Sequence, residues 1–218
     1  MGDVVDVGVV SKANRSKNSL YTEKNSDLFV VKSDGTYYDG KSLVTPPQTD
    51  RKNIGFTQGD IVDVFFSYEK FAGRGYINPK SQIAVRLLTR KKEAINEAFF
   101  YEKISRAWEY RKKIGYTENC RLIFGEADEL PALIIDKFND YFVIQTLSLG
   151  IDKWKPAIVT ALQSLFNPKG IYERNDVPVR ELEGLDQRKG FLSEPFDTNI
   201  IINENGLQFY VDIENGQK

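Results

Sequence analysis

Residues 121–145, RLIFGEADELPALIIDKFNDYFVIQ, limit what this chain can fold into more than any other stretch. Three apolar runs, at 122–124, 130–135 and 141–147, are rich in β-branched and aromatic residues and bounded by Gly, Pro, Asn and Asp. Such runs form strands. A carboxylate-bearing turn, Gly125-Glu126-Ala127-Asp128-Glu129, separates the first two, and a tight turn at 137–140 separates the last two. Residues 132–135 and 141–144 are almost continuously apolar, so these strands require cover on both faces. The chain after them reads as that cover.

With 41% hydrophobic and 12% aromatic residues in 218, the chain can bury one large core or two small ones. No run approaches the length of a membrane span and no charged start leads into an apolar segment, so no membrane partner and a cytoplasmic location are expected. A single cysteine, Cys120, excludes a disulfide framework. The absence of histidine rules out a histidine triad, histidine-ligated zinc and a histidine base. Net charge is −1, but its distribution is uneven: residues 70–121 hold 13 Lys and Arg against 5 Glu, and residues 122–218 hold 9 against 16 acids. A basic middle abutting an acidic end suits either a polyanion-binding face or plain solvation.

Residues 1–55 give short strand-like runs at 4–10, 28–31 and 36–38, with Asp34-Gly35 as a hairpin signal and Thr45-Pro46-Pro47 as a loop. Strands follow at 59–66 and on either side of Asn78-Pro79. That many short strands without a helix imply a small barrel or sandwich. From Asn96 to Gly115 the apolar period becomes helical, with Asn96 as cap and Arg111-Lys112-Lys113 near the end. A helix over 152–167, capped by Asp152, a short strand at 171–173, and a hairpin turning at Asn205-Gly206 complete an α+β domain.

Glu126, Asp128 and Glu129 share a turn with Arg121, and Glu173, Arg174, Asn175, Asp176, Arg180, Glu181 and Glu183 share another. Clustered acids suit general acid–base work or a divalent cation, and mutual salt bridging across exposed loops is the preferred reading. Gly73-Arg74-Gly75 lacks the third glycine and following helix of a phosphate loop. Arg74, Tyr76, Lys80 and Arg86 interleave basic and aromatic residues as single-strand binders do. Cys120, with no base beside it, reads as an inert thiol.

In order along the chain, GRGYINPKSQIAVRLLTR, the helix carrying Arg106-Ala107-Trp108 and Tyr110-Arg111, RLIFGEADELPALIIDKF, GIYERNDVPVRELEGL and ENGLQFYVDIENGQK resemble the ribosomal large subunit methyltransferase I family. Its members are bacterial enzymes that methylate C5 of a cytosine in 23S rRNA with S-adenosylmethionine. The resemblance covers residues 56–218 and implies a PUA-like RNA-binding β-barrel, a central antiparallel α+β domain and a Rossmann-like methyltransferase domain. The expected layout is a barrel over 1–90, a linking helix over 91–118 and the central domain over 119–218. The third domain, with the cofactor site and nucleophilic cysteine, is expected to be missing here, because the family continues beyond the match to Gly216-Gln217-Lys218. The chain is then the RNA-binding and scaffold portion of such an enzyme, with no cofactor, metal or catalytic residue of its own and ribosomal RNA as partner. A non-catalytic protein-interaction module is the alternative. Arg74, Tyr76, Asn78, Lys80 and Arg86 are expected on RNA, and Arg121, Glu126, Asp128, Arg174, Asn175, Asp176 and Arg180 on a cleft that the resemblance implies is shared with the missing domain. Where the family reads D-G-L-P-G-L, this chain has Asp128-Glu129-Leu130-Pro131-Ala132-Leu133.

Overall fold

The computed structural model describes residues 9–11, 29–32, 37–39, 57–65, 71–78, 80–81 and 83–216, with side chains from residue 57 onward. The expected loop at Thr45-Pro46-Pro47 and the Asp34-Gly35 turn lie outside the described residues. The chain divides into two units, Met1–Ala94 with Leu182–Gly184, and Ile95–Glu181 with Leu185–Lys218.

In the first unit, β1 (Val9–Ser11), β2 (Phe29–Lys32), β3 (Tyr37–Asp39), β4 (Ile61–Phe65), β5 (Phe71–Ile77) and β6 (Ile83–Thr89) form a six-stranded sheet. Every pair is antiparallel, in the order β1-β6-β5-β4-β2-β3, so among the described residues β1 and β3 are its end strands. Alternation buries Val62 and Val64 on one face of β4, whereas β5 and β6 bury consecutive residues, Tyr76-Ile77 and Ala84-Val85, and so are covered there on both faces. The glycines of the GRG sequence serve close backbone approach: a Cβ on Gly75 would lie 2.0 Å from the Arg86 carbonyl oxygen, where the β5–β6 register shifts.

The second unit begins with α1 (Glu97–Lys113). Asn96 caps it, its side chain accepting the Phe99 N–H at 3.0 Å, and Arg111, Lys112 and Lys113 complement the dipole in the last turn. A sheet of β7 (Asn119–Phe124), β8 (Leu133–Phe138), β9 (Tyr141–Thr146), β10 (Gly170–Asn175) and β11 (Arg188–Phe191) runs in the order β11-β10-β9-β8-β7. The expected antiparallel sheet needs correction at one pair: β9 and β10 are parallel. A parallel pair requires a crossover, supplied here by α2 (Leu149–Lys153) and α3 (Lys155–Phe166). These two helices replace the single helix expected over 152–167. Pro156 in the first turn of α3 has no N–H for the preceding turn, so the chain breaks at Trp154 and Asp152 does not cap.

One face of the sheet packs on α1 and α3, with Phe166 4.9 Å from Phe142 and 5.4 Å from Trp108 between ring centroids. The other face takes the hairpin of β12 (Asn199–Glu204) and β13 (Leu207–Asp212), which closes a cluster of Val143, Tyr172, Ile200, Ile202 and Ile213. The strands are thus covered on both faces, as their continuous apolarity requires. Asn205 and Gly206 turn the hairpin with φ of 52° and 81°, the positive pair that a primed turn needs.

Candidate nucleic-acid interface and polar cleft

In the first unit the five residues expected on RNA have different fates. Lys80 is exposed. Arg74 is partly exposed and grips Asp63 with two bonds of 2.6 and 3.0 Å while donating to the Glu93 carbonyl at 2.6 Å. The Asp63 bond raises its already high pKa. Tyr76 is 1% exposed, so its ring is core and presents no stacking face. Asn78 and Arg86 turn to Glu183, which belongs to this unit. Glu183 accepts from Asn78 Nδ2 at 3.0 Å, Ser81 Oγ at 2.5 Å and Arg86 Nη2 at 3.0 Å. Sequence reasoning set Glu183 in an acidic turn; a partnership with residues 97 to 105 positions away leaves no local signal. Passed over as well was Arg90-Lys91-Lys92, exposed at the end of β6, with Lys92 Nζ 5.4 and 5.6 Å from the Phe71 and Phe65 rings. Three consecutive cations closing a strand were the available cue.

In the second unit the residues expected on a cleft separate onto the two faces of the sheet. Arg121 and Arg174 meet at a pocket of about 220 Å³ on the hairpin side, lined also by Asp136, Gln145, Val143 and Asp212. Arg121 binds Asp136 through bonds of 2.8 and 3.0 Å, which raise its pKa. Arg174 donates to the Ile213 carbonyl at 2.7 Å and to Asp176 at 3.2 Å. Asp128 leaves the cleft: its carboxylate accepts from Arg111 and from the Phe124 N–H, each at 2.6 Å, while Glu126 is exposed.

Asn175 and Arg180 lie on the helix side, at the C-terminal ends of β9 and β10. There Asn175 accepts the Thr146 N–H at 2.8 Å and donates to Glu173 at 2.8 Å. Lys155 bonds Glu173 at 2.6 Å, Arg180 pairs with Asp152 at 3.0 Å, and Arg188 reaches both acids at 3.2 Å. Thr146, Asn175 and Arg180 are at most 1% exposed. Burial works to raise the Asp152 pKa, but bonds from Thr146, Lys155 and Arg180 overcome it and hold the carboxyl below its ordinary value. The acids are therefore neutralised by named cations, and among the described residues no group of three ligands could hold a metal ion. Cys120 is half-buried, and burial pushes its thiol above the usual value, against the partial relief of Lys137.

Residues 37–90 match a family model described as a PUA-like domain. Proteins named ribosomal RNA large subunit methyltransferase I align over 165 residues, 73% of this chain. The one from Aliivibrio fischeri is 40% identical with 42% of its length covered, and that from Klebsiella pneumoniae 38% identical with 41% covered. The chain thus spans less than half the length of the relatives it matches. Among solved structures, a proposed SAM-dependent methyltransferase from Streptococcus mutans superposes with a TM-score of 0.60 at 19% identity, over 81% of this chain and 46% of that one. A second, a proposed methyltransferase complexed with SAH, gives 0.62 with the same identity and coverage. No described helix is long and apolar enough to cross a membrane.

Proposed function

We propose, from the premise that this chain is kin to the ribosomal RNA large subunit methyltransferase I proteins over 165 of its residues, that it forms the RNA-binding and scaffold portion of an S-adenosylmethionine-dependent rRNA (cytosine-5) methyltransferase. The observation that carries this is the coincidence of that kinship with a PUA-like match over 37–90. In this reading the first unit is a PUA-like barrel that grips ribosomal RNA through Lys80, Arg90, Lys91 and the outer edge of Arg74. Tyr76, Asn78 and Arg86 hold the strands from within. Glu126 and Arg174 border the surface presented to a catalytic domain.

Methyl transfer needs S-adenosylmethionine, and the second unit does not fit it. Cofactors of α/β sheets lie outside the C-terminal ends of parallel strands. At β9 and β10 that position is filled by Thr146, Asn175, Arg180 and Asp152, all bonded to one another or to neighbouring backbone. Capture of the cofactor and attack on the base are therefore assigned to the remainder of such an enzyme.

Fluorescence anisotropy of the full chain on labelled 23S rRNA fragments tests the reading. Affinity should fall with added salt, and the combined change of Lys80, Arg90 and Lys91 to Ala should reduce the log–log salt slope by roughly 0.7 to 0.9 for each phosphate no longer neutralised. No binding at low salt would refute it. A protein-binding module remains the second reading, favoured by the hairpin's Ile201, Leu207, Phe209 and Tyr210, which are 45–72% exposed.

A further inference from the structure

We infer that the second unit carries its own platform for unpaired RNA bases, formed by Phe124 and Tyr110 with the guanidinium groups of Arg121 and Arg111. This rests on the reading that the chain binds RNA, and adds to it a second binding surface with a different chemistry.

Phe124 and Tyr110 are each 55% exposed. Single exposed rings are ordinary, but each of these carries a guanidinium: Arg121 Cζ is 5.4 Å from the Phe124 ring centroid, and Arg111 Cζ is 5.4 Å from that of Tyr110. The two pairs share one hydrogen-bonded frame. Arg111 donates to the Arg121 carbonyl at 2.8 Å and to Asp128 at 2.6 Å, and the same Asp128 oxygen accepts the Phe124 N–H at 2.6 Å. Arg121 is fixed in turn by Asp136. The two cations and the backbone that carries Phe124 are thus set before any ligand arrives, which limits the entropy lost on binding.

The surroundings favour nucleic acid over protein. Arg106 and Lys112, on the same helix, are 61% and 40% exposed and pair with Glu129 at 4.0 Å and Glu109 at 2.6 Å, so the patch is dense in charge of both signs, with six cations against four acids over residues 95–121. Protein interface cores are depleted in charge, whereas single-strand binders alternate cations for phosphate with rings for bases. Arg121 also lines the pocket of about 220 Å³, where Gln145 and Arg174 stand beside Val143, Val211 and Ile213, so the cation over the Phe124 ring borders a recess of mixed polarity.

Titration of the full chain with a short unpaired oligoribonucleotide, an abasic oligomer of equal length and a duplex separates the possibilities. Phe124→Ala with Tyr110→Ala should weaken binding of the unpaired strand at least about fivefold, with the salt slope unchanged. The abasic oligomer and duplex should show no such loss, and Phe124→Trp should retain wild-type affinity. Equal loss on the abasic oligomer would overturn the platform, as would unchanged affinity for all three. So would a shift in sedimentation mass without a change in RNA affinity, which would mark the patch as a protein interface. The salt-dependent binding of the first unit would survive each of these results.

Discussion

Two single residues show how this chain departs from the family pattern it resembles. Glu129 and Ala132 stand where that pattern has glycine, and both have positive φ, 59° and 64°. An L-residue pays roughly 1–2 kcal/mol for the left-handed region, and glycine about 0.5–1 kcal/mol in chain entropy. Ala132→Gly should therefore raise stability by up to about 1 kcal/mol, or about 2–4 °C in melting temperature for a chain of this size, and Ala132→Val should lower it. Thermal unfolding of the two variants beside the parent decides this; a lower midpoint for the glycine variant would show that the Ala132 methyl packs well enough to outweigh its backbone strain. The replaced glycines were legible in the sequence, but their meaning was not, because φ becomes visible only once the turn is seen. Tyr76 is the converse case. Basic–aromatic alternation on a strand placed it on RNA, and Tyr76 does share a face with the partly exposed Arg74, but that face is covered at Tyr76, whose ring is buried.

At the scale of elements, local signals carried furthest. Asn96, Gly115 and Asn205-Gly206 mark α1 and the last hairpin within a residue or two of where they occur, since caps and tight turns act over a few residues. Parallel pairing of β9 with β10 was not legible, because it depends on a crossover rather than on either strand. Strand β11, RKGF, has no alternation and exists through its pairing with β10. The network between these elements has a pH consequence. Asp152 has a folded pKa below its ordinary 3.8, so the unfolded chain takes up the proton first as pH falls. Its contribution is complete above the ordinary carboxylate value and is lost as pH drops through the lower folded one. Asp152→Asn should lower stability at neutral pH by on the order of 3 kcal/mol, since Arg180 and Lys155 lose a buried partner, and should flatten the acid limb. Urea unfolding from neutral pH to below the ordinary carboxylate range measures both; an unchanged acid limb would remove Asp152 from the acid response.

For the whole molecule, the consequential point is that the first unit is built from two stretches of chain far apart in sequence. Leu182–Gly184 belongs to it, and Glu183, 5% exposed, neutralises Arg86 while satisfying Asn78 and Ser81. A division of the chain at a single point near residue 90 leaves that anion behind. The expectation follows from the asymmetry of buried charge: a pair adds modest net stability, but removing one partner strands the other in a poor dielectric, at a cost of about 3–5 kcal/mol. A fragment ending at Ala94 should therefore be less stable than the same residues in the full chain by that order. Glu183→Ala in the full chain should destabilise the first unit to the same extent, and Glu183→Gln should recover part of the loss, because the amide oxygen can still accept from Ser81 and Arg86 where Oε1 stood, while the bond from Asn78 to Oε2 is lost. Hydrogen exchange of the β5 and β6 amides reads this directly, as their protection reports opening of that sheet. Equal protection in the fragment and the full chain would mean that the strands need no help from residues 182–184.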